Sequence, residues 1–248
     1  MVEKIKFGVI GCSDIAQRIT IPAILNSKNA ELVMLGSRDI DKAKKWSLDY
    51  GINDYGTYDD VLKNKKIDAV YISLPFSLQA EWSIAASNAK KHILCEKSAT
   101  TSFDSALSVV KNTRRNNVRI LEAFMFRFHP QHKKFLELIN ENIAGNIHTM
   151  EAKFGLIKNE RTGFRFDKRL GGSGLNDMGC YLICASRIIF QDEPIAVLSN
   201  MTLDNNGIDY RGNFSLIFPD NKISFCTYGY DYSYQSTYSI WGTKALMG

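Results

Sequence analysis

Residues 7–17, FGVIGCSDIAQ, decide the fold of this chain. A strand-like run from Lys4 to Ile10 meets Gly11, and a helical pattern starts within a few residues. A strand that turns directly into a helix points the free backbone N–H groups of the first helical turn above the strand, and the helix dipole adds positive charge there. Such a turn is typical of sites that bind the pyrophosphate of a dinucleotide.

The residues of the turn only partly follow the dinucleotide-binding pattern. Gly11 supplies the tight turn, and Ala16 is small enough to let the helix pack closely on the strand. Ser13 stands where the pattern has its second glycine, although its hydroxyl can itself bond a phosphate. An ordinary strand-to-helix turn explains this stretch equally well when it is considered alone.

Composition narrows the class of protein. The chain has 248 residues, 45% of them hydrophobic and 23% charged, which is enough for one large domain or two ordinary ones. No run of about 18 apolar residues and no secretory leader is present, so we expect a cytoplasmic protein without a membrane segment. The net charge of +5 is not gathered into one stripe, which favours anionic small molecules over nucleic acid as partners.

The cysteines do not suggest a metal site or disulfides. Their number is odd, five, and no second pair repeats the spacing of Cys180 and Cys184 as a zinc site would require. We therefore expect reduced, buried thiols and no bound metal.

The order of elements predicts two domains. Up to about residue 124, apolar strands alternate with amphipathic helices, which indicates a parallel sheet covered on both faces. After residue 129 a helix and a strand precede a glycine-rich loop at 171–174, a second helix near 175–190 and several alternating strands. We predict a Rossmann-type α/β domain over 1–124 and an α+β domain with a mostly antiparallel sheet over 125–248.

The end of the second predicted strand bears on the choice of cofactor. It finishes with GSRD, so Ser37 and Arg38 stand where a 2′-phosphate would be held. An NAD site places an acidic residue there, and Asp39 follows one position too late. This favours NADP(H) over NAD(H), although a solvated arginine before a helix remains an alternative.

Two further stretches carry residues suited to chemistry. ILCEKSA places Glu96 and Lys97 at the carboxyl end of a strand, where open α/β sheets bind ligands. GGSGLNDMGCYLI places Asp177 and Tyr181 four positions apart, on one face of a helix. A tyrosine can donate a proton, and a nearby ammonium favours its charged form. The alternatives are a surface lysine, a helix-capping aspartate and a packed aromatic ring.

Five motifs in register resemble the Gfo/Idh/MocA family of nicotinamide-dependent sugar oxidoreductases over essentially the whole chain. They are GVIGCSDIA, SLPFSLQAEW, CEKSA, EAFMFRFHPQH and LGGSGLNDMGCY. The residues of these motifs look most like those of NADP-dependent ketoreductases acting on nucleotide-linked deoxysugars, and less like those of xylose or dihydrodiol dehydrogenases. The resemblance implies a two-domain fold with the substrate on the sheet of the second domain.

The resemblance also implies roles for individual residues. Lys97 corresponds to the lysine of the family motif EKP, Asp177 to the aspartate before the proton-transfer residue, and Tyr181 to that residue. The residues expected to contact the cofactor are Gly11, Ser13, Asp14, Ile15, Ser37, Arg38, Leu74, Pro75 and Glu96. Arg165 and His129 are expected beside the substrate.

Two departures from the family pattern affect what we expect. Ser98 replaces the proline that follows the motif lysine, which predicts a less fixed backbone at Lys97. Relatives of this kind continue for about half a domain beyond WGTKALMG, so we expect an incomplete second domain whose apolar sheet drives homo-oligomerisation.

Three functions are compatible with the sequence. The leading one is an NADPH-dependent reductase of a sugar carbonyl, with a nucleotide-linked keto-deoxysugar as substrate. A non-catalytic NADP-binding sensor or subunit is the second, because a fold does not guarantee activity. The third is an aldose or dihydrodiol dehydrogenase, which runs the same chemistry in the opposite direction.

Overall fold

The structure, a computed structural model, describes residues 3–158 and 160–248. The chain divides into two compact units, the first ending at Ala123 and the second beginning at Phe124. Each unit contains its own six-stranded sheet. The sheet of the first unit is parallel and that of the second is mostly antiparallel, as predicted from the order of elements.

The first sheet has the strand order β3-β2-β1-β4-β5-β6, which is the order of the dinucleotide-binding Rossmann fold. All of its neighbouring strands are parallel. Its strands are β1 (Ile5–Ile10), β2 (Ala30–Gly36), β3 (Asp54–Gly56), β4 (Ala69–Ile72), β5 (His92–Cys95) and β6 (Ile120–Glu122).

Three of the five α-helices described in the first unit begin with side-chain caps. The five are α1 (Ile21–Leu25), α2 (Ile40–Asp49), α3 (Tyr58–Lys63), α4 (Phe76–Asn88) and α5 (Phe103–Arg115), and a π-helical turn (Ala16–Thr20) precedes α1. The side chain of Asp39 caps α2, and Thr57 and Ser102 form capping boxes at α3 and α5. Such caps satisfy backbone N–H groups that the helix itself leaves without partners.

Burial on both faces explains the apolar character of the central strands. Val9 and Ile10 are both fully buried, and they belong to two different apolar clusters. Side chains of successive strand residues point to opposite faces of a sheet, so the two clusters lie on its two faces. A strand covered in this way reads as a continuous apolar run in the sequence.

Three observed strands and one helix were not predicted. β3 and α3 are only three and six residues long, too short for a periodic pattern to stand out. In the second unit, β8 is exposed along almost its whole length and β12 has two residues. An edge strand without a buried face lacks the alternation by which strands are recognised.

The second sheet has the order β12-β11-β7-β10-β9-β8, and only β7 and β10 pair in parallel. The strands are β7 (Ile147–Ile157), β8 (Ala196–Leu203), β9 (Asp209–Ile217), β10 (Ile223–Gly229), β11 (Asp231–Gly242) and β12 (Leu246–Met247). The helices are α6 (Pro130–Asn140) and α7 (Cys180–Phe190), with a π-helical turn (Leu175–Gly179) running directly into α7.

One face of the second sheet is packed and the other is open. Buried residues of α7, including Leu182 and Ile189, share a core with Met150 of β7. On the opposite face, the strand registers place Leu198, Ser215, Phe225, Glu151 and Ser239 in one row across five strands. We call this the open sheet face.

The open sheet face carries large apolar side chains at high exposure. Phe225 is 45% exposed and Leu198 is 67% exposed, while Trp241, on the same face, reaches 68%. The face also contains a shallow depression, which is lined in part by Asn213 and Thr227. Large apolar side chains that share one exposed sheet face are a feature of interaction surfaces.

The five cysteines are free thiols. Cys12, Cys95 and Cys226 are buried as expected, but burial is the wrong expectation for Cys180 and Cys184 on α7, which are partly exposed. Burial raises the pKa of the Cys12 thiol to about 11 and that of Cys95 to about 12. In the part of the chain that the structure describes, no helix has the length and apolarity needed to span a bilayer.

His132 on α6 is the one buried polar side chain with an unsatisfied atom among the described residues. It is 4% exposed, its Nδ1 atom hydrogen-bonds the hydroxyl of Tyr238, and its Nε2 atom has no hydrogen-bond partner. Burial, followed by the charge of Arg127, lowers the pKa of His132. A proton on both ring nitrogens would place an N–H donor where no acceptor exists, which carries the cost of a buried unpaired group.

We expect His132 to make the second unit sensitive to acid. Because its folded pKa is lowered, the unfolded state binds the proton more readily, and the free energy of unfolding falls as the pH drops below about 6.5. The loss is about 1.4 kcal/mol for each pH unit by which folding lowers the pKa.

Chemical denaturation at a series of pH values measures this effect. His132→Asn keeps an N–H donor near Nδ1 but does not titrate, so the loss of stability with acid should become shallower. His148→Asn, at an exposed position, is the matched control and should follow the wild type. Parallel curves for wild type and His132→Asn would contradict the assignment.

Candidate functional site

The polar side chains of the first unit gather where parallel strands end. Gly11 follows β1, its N–H donates to the carbonyl oxygen of Gly36 at 3.0 Å, and its φ is +106°. A Cβ atom at Gly11 would lie 2.5 Å from the backbone oxygen of Ser73. Only glycine therefore fits this turn, for reasons of both space and backbone conformation.

Ser13 joins the two loops on either side of the point where the strand order reverses. Its hydroxyl hydrogen-bonds that of Ser73, which follows β4, and accepts from the N–H of Ala16 at 3.2 Å. The neighbouring Asp14 is exposed and pairs with Arg18 one turn later, at 2.7 Å. Ile15 comes directly before the π-helical turn. Ligands of open α/β sheets bind at such a reversal point.

Ser37 and Arg38 lie at the end of β2, as predicted. Ser37 is buried and its hydroxyl accepts from the N–H of Asp39 at 3.1 Å. Arg38 is exposed and lies close to Tyr58, where its guanidinium opposes the rise that burial produces in the pKa of that phenol. The carboxylate of Asp39 accepts from the N–H of Lys42 at 3.1 Å and so caps α2. Asp39 therefore serves the helix, as its position one place beyond the strand suggested.

A buried amide supports the loop that follows β4. Gln79 of α4 donates to the carbonyl oxygen of Leu74 at 2.9 Å and accepts from the Cys95 thiol at 3.0 Å. Pro75 is the residue that precedes α4. These contacts fix the backbone at Leu74 and Pro75, two of the predicted cofactor contacts.

Glu96 and Lys97 follow β5 at the same edge of the sheet. Glu96 is buried, and its Oε1 atom accepts from the Tyr71 hydroxyl at 2.7 Å. Burial raises the pKa of Glu96, while the Tyr71 hydroxyl and then Lys97 oppose that rise. The Lys97 ammonium lies 5.6 Å from the centre of the Phe76 ring, and the peptide between Lys97 and Ser98 is cis. Glu96 is thus held by its hydrogen bond to Tyr71, and Lys97 follows it directly in the chain.

The second unit holds Asp177 in a buried network. Asp177 lies in the π-helical turn before α7 and is 5% exposed. Its Oδ2 atom accepts from Nε of Arg165 at 2.7 Å and from the hydroxyl of Tyr230 at 3.0 Å. The carboxylate of Asp177 thus bonds side chains from a 3₁₀ helix (Phe164–Phe166) and from the residue that follows β10.

Tyr181 stands four positions later, near the start of α7, among aromatic rings. The ring centres of Phe124, Phe154 and Phe126 lie 5.3 Å, 5.4 Å and 6.1 Å from its own. The rings at Phe124 and Phe154 meet it edge to face, which is a favoured arrangement. The packing fixes the orientation of the Tyr181 ring.

The two residues predicted beside the substrate differ in their surroundings. Arg165 is part of the Asp177 network, and its side chain is still 36% exposed. His129 is exposed at the start of α6, where its Nδ1 atom accepts from the N–H of Gln131 at 3.2 Å. The structure therefore joins Arg165 to Asp177, whereas the described contact of His129 is that of a helix cap.

Three supporting residues escaped the sequence analysis: Tyr71, Gln79 and Tyr230. All are almost fully buried, and each bonds a residue or loop that was predicted. The alternation of TYGY at 227–230 does place Tyr228 and Tyr230 on one face of a strand. It does not reveal the partner of either hydroxyl. No group of three potential metal ligands occurs within the ranges 3–158 and 160–248.

Comparison with known proteins matches both units. Residues 5–124 match the oxidoreductase family with an NAD-binding Rossmann fold, GFO_IDH_MocA, and residues 132–247 match the GFO/IDH/MocA C-terminal domain. A dTDP-3,4-didehydro-2,6-dideoxy-alpha-D-glucose 3-reductase from Saccharopolyspora spinosa is 31% identical over 246 residues, covering 98% of this chain and 74% of that protein.

Two further proteins illustrate the range of this similarity. An NADP(+) D-xylose 1-dehydrogenase from Haloferax volcanii is 34% identical over 208 residues, covering 83% of this chain and 63% of that protein. A 3-ketoreductase from Actinomadura kijaniata, solved in complex with NADP and TDP-benzene, superposes with a TM-score of 0.90 at 30% identity. The match covers 97% of this chain and 74% of that chain. The chain belongs to the Gfo/Idh/MocA family of oxidoreductases.

Proposed function

We propose that this protein is an NADPH-dependent reductase of a keto group on a nucleotide-linked sugar. The observation that carries the proposal is the placement of Tyr181 on a helix, four residues after a buried Asp177 that Arg165 and Tyr230 hold in place. The similarity to a nucleotide-sugar 3-reductase over 98% of the chain supports the same class of substrate.

The carboxyl edge of the first sheet fits a dinucleotide. Gly11 allows a tight turn in which a Cβ atom would lie 2.5 Å from the backbone oxygen of Ser73, and the Ser13 hydroxyl follows two residues later. Ser37 and Arg38 are suited to a 2′-phosphate, because the acidic side chain nearest to them, Asp39, caps a helix. When bound, NADPH supplies the hydride that reduces the carbonyl carbon.

The proposed roles of the protein's own residues concern the carbonyl oxygen. Tyr181 donates its phenolic proton to that oxygen as negative charge develops there, and it recovers a proton from solvent after the product leaves. The Lys97 ammonium stabilises the developing charge. Asp177 holds the start of the helix that carries Tyr181. Arg165 balances the charge of Asp177, and the exposed part of the Arg165 side chain contacts the substrate.

The two units divide this work in the proposal. The unit that ends at Ala123 binds the dinucleotide, and the unit that begins at Phe124 binds the sugar. Oxidation of a free aldose is the second candidate, and the similarity to a xylose dehydrogenase favours it. A non-catalytic NADP-binding protein is the third.

We expect Arg38→Ala to weaken NADPH binding by about one to two powers of ten and to leave NADH binding nearly unchanged. The reason is that a charge-assisted bond to the 2′-phosphate contributes about 1.5 to 3 kcal/mol. Titration of each cofactor by protein fluorescence measures both constants. Arg115→Ala, in the last turn of α5, is the matched control. An unchanged preference for NADPH in Arg38→Ala would refute the assignment.

We expect Tyr181→Phe to lower kcat by about 100- to 10,000-fold, because the general acid is lost. NADPH binding should stay unchanged, since the phenol acts on the substrate. The assay follows NADPH oxidation with keto-sugars free and nucleotide-linked, and NADP+ reduction with aldoses. Tyr234→Phe, at an exposed position on β11, is the matched control.

The outcomes of this assay separate the three functions. Turnover of nucleotide-linked keto-sugars supports the reductase, and turnover of aldoses alone supports the dehydrogenase. NADPH binding without any turnover supports the non-catalytic protein. Full activity in Tyr181→Phe would show that another group donates the proton.

We also expect the protein to self-associate through the open sheet face, because burial of exposed Phe225 and Trp241 is favourable. The double variant Phe225→Thr with Trp241→Thr should shift the protein toward monomer in sedimentation velocity. Phe103→Thr removes a still more exposed ring, from the first unit, and should have no effect. A wild type that is monomeric at all concentrations would contradict this expectation.

A further inference from the structure

Tyr230 lies far from Tyr181 in the sequence. We infer that Tyr230 is nevertheless a positioning residue for the reaction, because its hydroxyl fixes the Asp177 carboxylate and through it the helix that carries Tyr181. The inference rests on the proposed function, because that function gives Asp177 its role. The hydrogen bond between Tyr230 and Asp177 does not depend on that function.

The position of Tyr230 is fixed by its backbone and its ring. It follows the last residue of β10, its N–H donates to the carbonyl oxygen of Tyr210 at 2.9 Å, and its carbonyl oxygen accepts from the N–H of Lys158 at 2.8 Å. Its ring is fully buried and lies 4.8 Å from that of Phe166. The hydroxyl of Tyr230 is therefore a rigid donor at the end of the sheet.

Arg165 gives Asp177 a different kind of support. Its guanidinium neutralises the carboxylate at 2.7 Å, but the side chain belongs to a three-residue 3₁₀ helix (Phe164–Phe166) and is 36% exposed. It also lies 4.7 Å from the ring of Phe164, its neighbour in that 3₁₀ helix. The partly exposed arginine supplies charge, and the buried tyrosine supplies the fixed geometry.

The charges around the contact keep the phenol in its donor form. Burial, then the negative charge of Asp177, raises the pKa of Tyr230, Asp209 on β9 adds to this rise, and Arg165 opposes it. Near neutral pH the phenol is protonated and can only stabilise the ionised carboxylate. Two further ionisable groups follow Asp177 closely in sequence, Cys180 and Tyr181, both in the first turn of α7.

The sheet contains a second pair of the same chemistry, which separates positioning from general stability. Tyr228, two residues before Tyr230, donates to Oδ2 of Asp209 at 2.6 Å. That same oxygen accepts from the N–H of Leu175 at 2.7 Å, at the start of the π-helical turn. Both pairs join a buried tyrosine to a buried aspartate, but only the Tyr230 pair contains the residue proposed to act in the reaction.

Replacement of each tyrosine by phenylalanine, with ¹³C-labelled aspartate, tests the inference in the protein alone. Tyr230→Phe removes one oxygen and keeps the ring against Phe166. We expect the Asp177 carboxyl resonance, assigned with Asp177→Asn, to move at neutral pH and its titration midpoint to rise by about 1 to 2 pH units. Tyr228→Phe should leave that resonance in place. No change in Tyr230→Phe, or an equal change in Tyr228→Phe, would overturn the inference.

Kinetics then connects the contact to the reaction. With a keto-sugar that the wild type reduces, Tyr230→Phe should lower kcat by about tenfold, leave the dissociation constant of NADPH unchanged and move the acid limb of the kcat profile upward. Tyr228→Phe should lower Tm by about as much as Tyr230→Phe does, but it should leave the acid limb of the kcat profile in place. Equal acid limbs in the two variants would overturn the role.

The two measurements distinguish failure of this inference from failure of the proposed function. A chain that reduces no carbonyl compound, but whose Asp177 resonance responds to Tyr230→Phe, supports the contact and contradicts the reductase. A chain that reduces keto-sugars with Asp177 unresponsive supports the reductase and contradicts the role of Tyr230.

Discussion

The burial of β1 on both faces is the constraint on which the first unit depends. Val9 and Ile10 point to opposite sides and are both inaccessible to water, so helices must cover both faces of the sheet. Polar and charged groups are then tolerated only where strands end. Gly11 and Ser37 follow two neighbouring strands for this reason, and a ligand that needs hydrogen bonds can approach the sheet only at such an edge.

The carboxyl edge is built before any ligand arrives, because its buried polar groups bond one another. Ser13 bonds Ser73 across the reversal of strand order, and Tyr71 bonds Glu96 beneath the motif lysine. A buried carboxylate without such a partner would be costly. The tight approach at Gly11 has the same consequence, since loops that are held this closely have few alternative conformations to lose when a cofactor binds.

In the second unit, the two faces of the sheet differ in burial. One face of its sheet packs against α7, and the buried carboxylates of Asp177 and Asp209 lie where the helix begins, each with a tyrosine hydroxyl. The helix can approach this closely because Gly174 has no side chain: a Cβ atom there would lie 2.7 Å from the backbone oxygen of Asp209. On the opposite face, within residues 3–158 and 160–248, apolar side chains such as Phe225 and Trp241 stay in contact with water, which suits that face to association.

The sequence by itself determined the fold class and the kind of chemistry. Alternation of apolar strands with helices implies a parallel sheet, and the motifs around Gly11, Lys97 and Tyr181 identified the family, because periodicity and motif spacing are properties of the chain alone. The tertiary structure decided which side chains support them. Asp177 and Tyr230 are 53 positions apart, and they meet only because strand register and helix docking bring them together. No local pattern encodes a contact of that kind, and the same is true of short or exposed elements such as β3 and β8, whose place is fixed by their neighbours in the sheet.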